Sequence, residues 1–187
     1  MGAPPMYLKE LPPATVLVAE GEQEIEVPPG ISHYVFHQHD EHAVFTFHLR
    51  YPGQSVTVRA SVVPSGPAKP ELETRMLHHA PETRANTLVR TLLTNASTSR
   101  YRGLIRINEG CSNSESYLSH HSLLLHPKAA SWTVPSLEIL NDQVKCSHAA
   151  TIRSINQEEL FYPRSRGLSE EQARELIVQA FMADVLI

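Results

Sequence analysis

Sulfur is scarce in this chain: 187 residues carry two cysteines, Cys111 and Cys146, and no C-x-x-C. Two irregularly placed thiols cannot build a disulfide framework, and a reducing compartment would keep them reduced. Runs of positive charge are missing as well. Acidic residues outnumber basic ones, 20 to 16, for a formal net charge of −4. With no Lys/Arg cluster, the electrostatic footprint of a nucleic-acid binder is absent, and nucleic acid is excluded as a partner. No apolar stretch approaches the roughly 20 residues of a membrane-crossing helix. The opening Met1-Gly2-Ala3-Pro4-Pro5 is not built like a signal peptide, so a cytoplasmic protein without a membrane partner is expected. No Walker-type loop, nucleophile elbow or paired-carboxylate pattern occurs, so no catalytic chemistry is expected of the chain itself.

Short alternating segments are abundant instead. Val16-Leu17-Val18, Glu24-Ile25-Glu26-Val27, Ala43-Val44-Phe45-Thr46-Phe47-His48-Leu49, Ser55-Val56-Thr57-Val58-Arg59 and Leu104-Ile105-Arg106-Ile107 exchange apolar and polar residues at period two, the pattern of half-buried strands. Gly21, Pro28-Pro29-Gly30, Pro52-Gly53 and Pro64-Ser65-Gly66-Pro67 punctuate them. No helical period lies between the strands, which excludes βαβ units. Residues 15–155 therefore read as an all-β region, and alternation alone leaves a sandwich, a barrel and a parallel β-helix open.

Near the end the pattern changes. Ser169 with Gln172 makes a capping box, Glu170 and Glu171 suit the positive end of a helix dipole, and Gly167 would end a preceding strand. Ala173, Leu176, Ile177, Ala180, Phe181 and Val185 then form one apolar stripe, giving an amphipathic helix over residues 169–186. The expected organisation is a strand-built core domain over 1–168 and a C-terminal helix over 169–187. Leu176, Ile177, Phe181 and Val185 serve equally as a partner interface or as core packing.

Two groups of residues carry metal-ligating chemistry. In extended backbone Cys146 and His148 share one face, and a thiolate beside a neutral imidazole suits iron or zinc. The bland alternative is a small buried hydrophobe next to a hydrogen-bonded surface residue, since two ligands do not make a metal centre. Histidine is plentiful, 11 residues, and five of them (His33, His37, His39, His42 and His48) fall in one window. His37 and His39 share a strand face near His42, a pattern like the metal sites of cupin barrels, although solvated loop histidines explain it too. His78-His79 and His120-His121 each read as one buried and one exposed neighbour. Cys111, outside any motif, reads as a packed thiol.

The segments Pro135-Ser136-Leu137-Glu138-Ile139, Val144-Lys145-Cys146-Ser147-His148-Ala149-Ala150-Thr151 and Leu160-Phe161-Tyr162-Pro163-Arg164-Ser165-Arg166-Gly167 resemble the core-domain wording P-x-L-E-I, V-K-C-S-H-G-A-T and L-F-Y-L-R-S-R-G of the SufB/SufD family. That family supplies the scaffold subunits of iron–sulfur cluster assembly. Tyr101-Arg102-Gly103, Leu123-Leu124-Leu125 and His79-Ala80-Pro81-Glu82-Thr83 match further motifs in family order. The resemblance implies a right-handed parallel β-helix whose terminal coils need caps, with Leu11-Pro12-Pro13 and the C-terminal helix as candidates. It further implies a SufC-type ATPase docked on the helical C-terminal region, and a SufB-type subunit or second copy (a homodimer) meeting the end of the β-helix. His148 would stand at that interface, with Cys146 nearby, as a transient iron–sulfur cluster position.

Three departures qualify the resemblance. SufB-type chains carry a cysteine directly after the F-Y pair and SufD-type chains usually leucine, whereas this chain has Pro163, which offers neither thiolate nor backbone donor. It cannot be a complete SufB-like scaffold by itself, and the resemblance implies a SufD-like chain. Cys111-Ser112-Asn113-Ser114-Glu115 replaces the family's A-Q-x-T-D, which implies an altered coil interior. The family's N-terminal helical region and further C-terminal helix have no counterpart, so a form shortened at both ends is expected. Arg164, Arg166 and Gly167 are expected to close the last coil, with the arginines paired to carboxylates.

Overall fold

A computed structural model describes residues 15–39 and 41–185 of the chain; the proposed cap at Leu11-Pro12-Pro13 lies outside the described residues. The elements run β1 (Thr15–Val18), β2 (Gly21–Glu26), β3 (Ile31–Gln38), β4 (His42–Leu49), β5 (Ser55–Val62), β6 (Glu71–His78), β7 (Arg84–Leu93), β8 (Thr98–Ile107), β9 (Glu115–Leu124), β10 (Ala130–Ile139), β11 (Lys145–Ser154), α1 (Gln157–Ser165) and α2 (Glu170–Met182). Odd-numbered strands form one six-stranded sheet in the order β1-β3-β5-β7-β9-β11, and even-numbered strands form a five-stranded sheet in the order β2-β4-β6-β8-β10. Every pairing is parallel. A chain that visits two parallel sheets in strict alternation is a solenoid, each coil adding one strand to each sheet. The parallel β-helix is thus the fold, and the sandwich and barrel alternatives fall away.

Period-two patterning produces this directly. On β5, Val56, Val58, Ala60 and Val62 are buried in the lumen, and on β6 so are Leu72, Thr74, Met76 and His78. Corners fall at the breakers; Gly53 turns the chain between β4 and β5 at φ 75°, a conformation that costs other residues energy. Coil interiors differ along the axis. The early coils are filled by aromatic and aliphatic groups, with Phe36 against Phe45 at 4.3 Å and Tyr34 against Phe47 at 5.2 Å between ring centroids. Burying each such side chain stabilises the fold by about 1.5–3 kcal/mol. In the later coils the fully buried Thr87, Thr91, Tyr101, Ser116, His120 and Ser122 are interspersed with Val89, Ile105, Ile107 and Leu118.

The C-terminal region departs from the expectation of a single helix. Arg164, Arg166 and Gly167, expected to close the last coil with Gly167 ending a strand, lie on α1 and the turn after it. Asn156 accepts from the Glu159 amide at 2.8 Å while Glu159 accepts from the Asn156 amide at 3.1 Å, a capping box that sets a helix start upstream of the aromatic pair. Gly167, at φ 95°, turns the chain between the helices instead of ending a coil. Arg164 does pair with a carboxylate, Glu170, at 3.8 Å, whereas Arg166 lies over the Tyr162 ring. On α2 the expected Ser169/Gln172 capping box is present.

Helix α2 packs on the outer face of the six-stranded sheet. Phe181, Met182 and Val185 are buried against Leu92 and Leu123. A polar latch accompanies them: Arg90 bonds the Asp184 carboxylate at 2.8 Å and lies over the Phe181 ring at 4.9 Å, and Arg59 donates to the Asp184 carbonyl at 2.6 Å. No helix among the described residues is long and apolar enough to cross a membrane.

Candidate functional site

Strands β10 and β11 are the last members of their sheets, so both open edges fall at one end of the solenoid. Parallel in-register stacking keeps lumen-facing rows aligned: Leu137 stands over Ile105, Ile139 over Ile107 and Ile152 over Ser122. The residues beneath are fully buried, whereas Leu137, Ile139 and Ile152 remain 37%, 41% and 44% exposed. No further coil covers them among the described residues. Trp132 and Val134, on the outer side of β10, are exposed as well.

Cys146 and His148 belong to the same row. Cys146 is in register with Ser116 and His148 with Leu118, both lumen residues, so thiol and imidazole share the inner face of the terminal strand as the alternation implies. Cys146 is half-buried against the core, and His148 is exposed. Burial pushes the Cys146 thiol above its ordinary range, so it rests protonated until a metal or a base draws the proton away. Together they supply one soft and one borderline donor, which suits iron or an iron–sulfur species but leaves the remaining positions to other groups.

Behind this face lies a hydrogen-bonded lumen that sequence reading did not single out. His120 Nε2 is 2.9 Å from the Thr91 hydroxyl, Ser122 and Ser131 share a hydrogen bond of 2.8 Å, and the Tyr101 hydroxyl is 2.6 Å from that of Thr74. Burial depresses His120 to about 3 and His78 to about 4, so both rings are neutral. Tyr101 in turn explains its own motif. A Cβ at Gly103 would collide with the Leu118 side chain and stand 2.9 Å from the Tyr101 hydroxyl, so Tyr-x-Gly is a packing unit of the interior. At the Cys111–Glu115 departure, Ser114 bonds Thr83 at 2.9 Å and Thr83 bonds His78 at 2.7 Å, a short-side-chain network within the coil. Cys111 is fully buried and its thiol donates to the His78 carbonyl at 3.3 Å, the packed role expected of it.

The histidine window does not converge. His37 bonds the Ser61 hydroxyl at 2.6 Å and His39 lies 2.8 Å from the Val63 carbonyl, both beside β5, while His42 belongs to the other sheet, 4.0 Å from Glu71. Among the described residues no group of three or more His, Cys, Asp or Glu side chains is placed to hold a metal. The cupin-like reading of His37, His39 and His42 therefore lacks both its barrel and its ligand cluster. The adjacent pairs behave as alternation requires: His78 and His120 are buried, His79 is exposed and His121 half-buried. The expected apolar stripe divides, and the helix itself stops at Met182: Phe181 on α2 and Val185 in the turn beyond it face the sheet, Ile177 is half-buried and Leu176 48% exposed.

Comparison with known proteins decides the family. The model of the SUF system FeS cluster assembly SufBD core domain matches residues 31–181. The chain belongs to the SufBD family. An iron-sulfur cluster assembly SufBD family protein of Staphylococcus aureus strain USA300 is 33% identical over 108 residues, covering 58% of this chain and 23% of the relative. A namesake from Mycobacterium bovis is 33% identical over 111 residues, covering 59% of this chain and 13% of the relative. The matched stretch thus spans under a quarter of either SufBD relative's length.

Proposed function

We propose that this SufBD chain acts as a non-catalytic, SufD-like subunit of cytoplasmic iron–sulfur cluster assembly, with the open end of its solenoid as the assembly surface. The observation that carries the reading is the conjunction at that end: half-exposed lumen residues Leu137, Ile139 and Ile152 beside a thiol and an imidazole on the same row. Apolar rows without a covering coil favour a second β-solenoid, either a SufB-type subunit or another copy of this chain. Cys146 and His148 offer half of a donor set, to be completed from across the interface, and the iron–sulfur cluster is transient cargo. Pro163 supports the SufD-like assignment, since it stands where the SufB-type cysteine would. The helical region, with Leu176, Phe161 and Tyr162 exposed, is the proposed dock for a SufC-type ATPase. Phe181 and Val185 hold that dock against the sheet, and Ile177 borders it.

Two measurements test this. Light scattering of the native chain, alone and mixed with a SufB-type chain, is expected to show a two-solenoid species that Leu137→Asp and Ile152→Asp each disperse without loss of β circular dichroism. Anaerobic reconstitution of that species with iron and sulfide is expected to give a visible chromophore that Cys146→Ala and His148→Ala both diminish. A monomer under all mixtures, or colour unaffected by both replacements, would overturn the proposal.

A further inference from the structure

A buried hydroxyl directly beneath the open end stands unpaired. Ser116, on the inner face of β9, is fully buried, and its Oγ makes no hydrogen bond among the described residues. Such a group costs stability, so its presence in the lumen asks for a reason. Coil stacking defines its neighbours. Ala85 of β7 is in register with it on one side and Cys146 of β11 on the other. Along its own strand the inner face continues to Leu118 in one direction and to Ser114 in the other, and the Ser114 hydroxyl is already engaged, with Thr83 at 2.9 Å and the Ala80 carbonyl at 3.4 Å. The Cys146 sulfur is the polar side-chain atom left to it.

Reach and chemistry both fit. Neighbouring strands of a sheet lie about 4.8 Å apart and in-register side chains on one face stand side by side, so rotation about the Ser116 Cα–Cβ bond swings the hydroxyl toward the sulfur. A neutral thiol is a weak acceptor and gives that hydroxyl little to bind. A sulfur that carries charge, as an anion or as a ligand of metal, accepts far better, and charge-assisted hydrogen bonds are roughly twice as strong as neutral ones. The hydroxyl is therefore idle beside the resting thiol and engaged when the sulfur is put to use.

We propose that Ser116 is the positioning residue of Cys146, its hydroxyl donating to the sulfur once that atom is anionic or metal-bound. Because the donor approaches from the coil beneath, the remaining lone pairs of the sulfur stay turned to the open end, on the side of His148. Outer-sphere donors of this kind orient a ligand and tune its electron density. The inference rests on the cluster-assembly reading only for what the sulfur carries; the hydrogen bond is a property of the chain itself.

Alkylation of the full chain with iodoacetamide at one mildly alkaline pH, followed by mass spectrometry of the Cys146 peptide, tests this without iron or sulfide. The reaction runs through the sulfur anion; a tenfold smaller anion population, offset by the greater nucleophilicity of the more basic sulfur, slows it about threefold. Ser116→Ala is expected to slow labelling by that factor, and Ser116→Thr, which keeps the hydroxyl, to recover it. Thermal denaturation supplies a second readout: Ser116→Ala should leave the melting temperature unchanged or raise it, since it deletes a buried group that lacks a partner, whereas a packing role would lower it. Labelling unmoved by Ser116→Ala, equal slowing in Ser116→Thr, or a lowered melting temperature in Ser116→Ala would overturn the role. Threefold slowing in a chain that forms no chromophore with any partner would uphold Ser116 and remove the cluster-assembly reading instead.

Discussion

Inside the solenoid the rings of Tyr101 and His120 meet at 4.6 Å between centroids, tilted by 46°. This contact leaves the imidazole no room to hold a hydrated proton, and burial brings it to about 3, with His78 at about 4.

Acid should therefore weaken the fold in a defined window. Unfolded histidine takes its proton near pH ~6.5, whereas the folded rings refuse it until pH 4 or below, so below about 6.5 the unfolded chain binds more protons and stability falls. Each ring is expected to remove about 2 kcal/mol between pH ~6.5 and ~5. Urea denaturation at several pH values measures it. His120→Gln should flatten the acid limb, and a limb of unchanged slope would contradict the assignment.

Gly103→Ala is expected to destabilise the chain by about 1–3 kcal/mol, because its methyl group must displace the Leu118 side chain or the Tyr101 hydroxyl in a filled interior. Thermal denaturation reads this directly. A partner replacement, Leu118→Ala, should relieve part of the penalty in the double variant, and strictly additive losses would argue against the contact.

Asp184→Asn is expected to loosen α2 with little change in global stability, about 1 kcal/mol or less, since the pair with Arg90 is partly solvated and the Phe181 anchor remains. Hydrogen exchange should accelerate across residues 170–182 while the strands stay protected. Equal protection in both proteins would show that the latch holds nothing.

Iodoacetamide should distinguish the two thiols. Burial raises both, but Cys111 is enclosed whereas Cys146 is half-buried at the open end. Labelling of Cys146 is expected to be slow at neutral pH and to quicken in alkali, with Cys111 unmodified until denaturant is added. Mass spectrometry of timed samples decides it, and rapid neutral labelling of Cys111 would contradict its packing.

Much of this architecture was legible from alternation and punctuation. The rows at Ser55–Val62 and the Ser169 cap are where the pattern puts them. The stretch from Leu160 to Gly167 misled because an apolar, aromatic run ending in proline and glycine carries strand propensity, and the deciding signal lies upstream, in Asn156 and Glu159. The lumen face shared by Cys146 and His148 follows from parity, but their half-open setting does not, since only the stacking order reveals that β11 is an edge. Likewise the pairing of His48 with His79 crosses 31 residues and depends on coil register, which no local window contains.

The graded filling of the lumen gives the molecule a direction of unravelling. Coils packed with phenylalanine and valine anchor one end, while those that mix aliphatic groups with hydroxyls and imidazoles forfeit less when wetted. Fraying should thus begin beside Cys146 and travel toward Phe45, so the segment that meets another subunit is also the one that can reshape itself to fit.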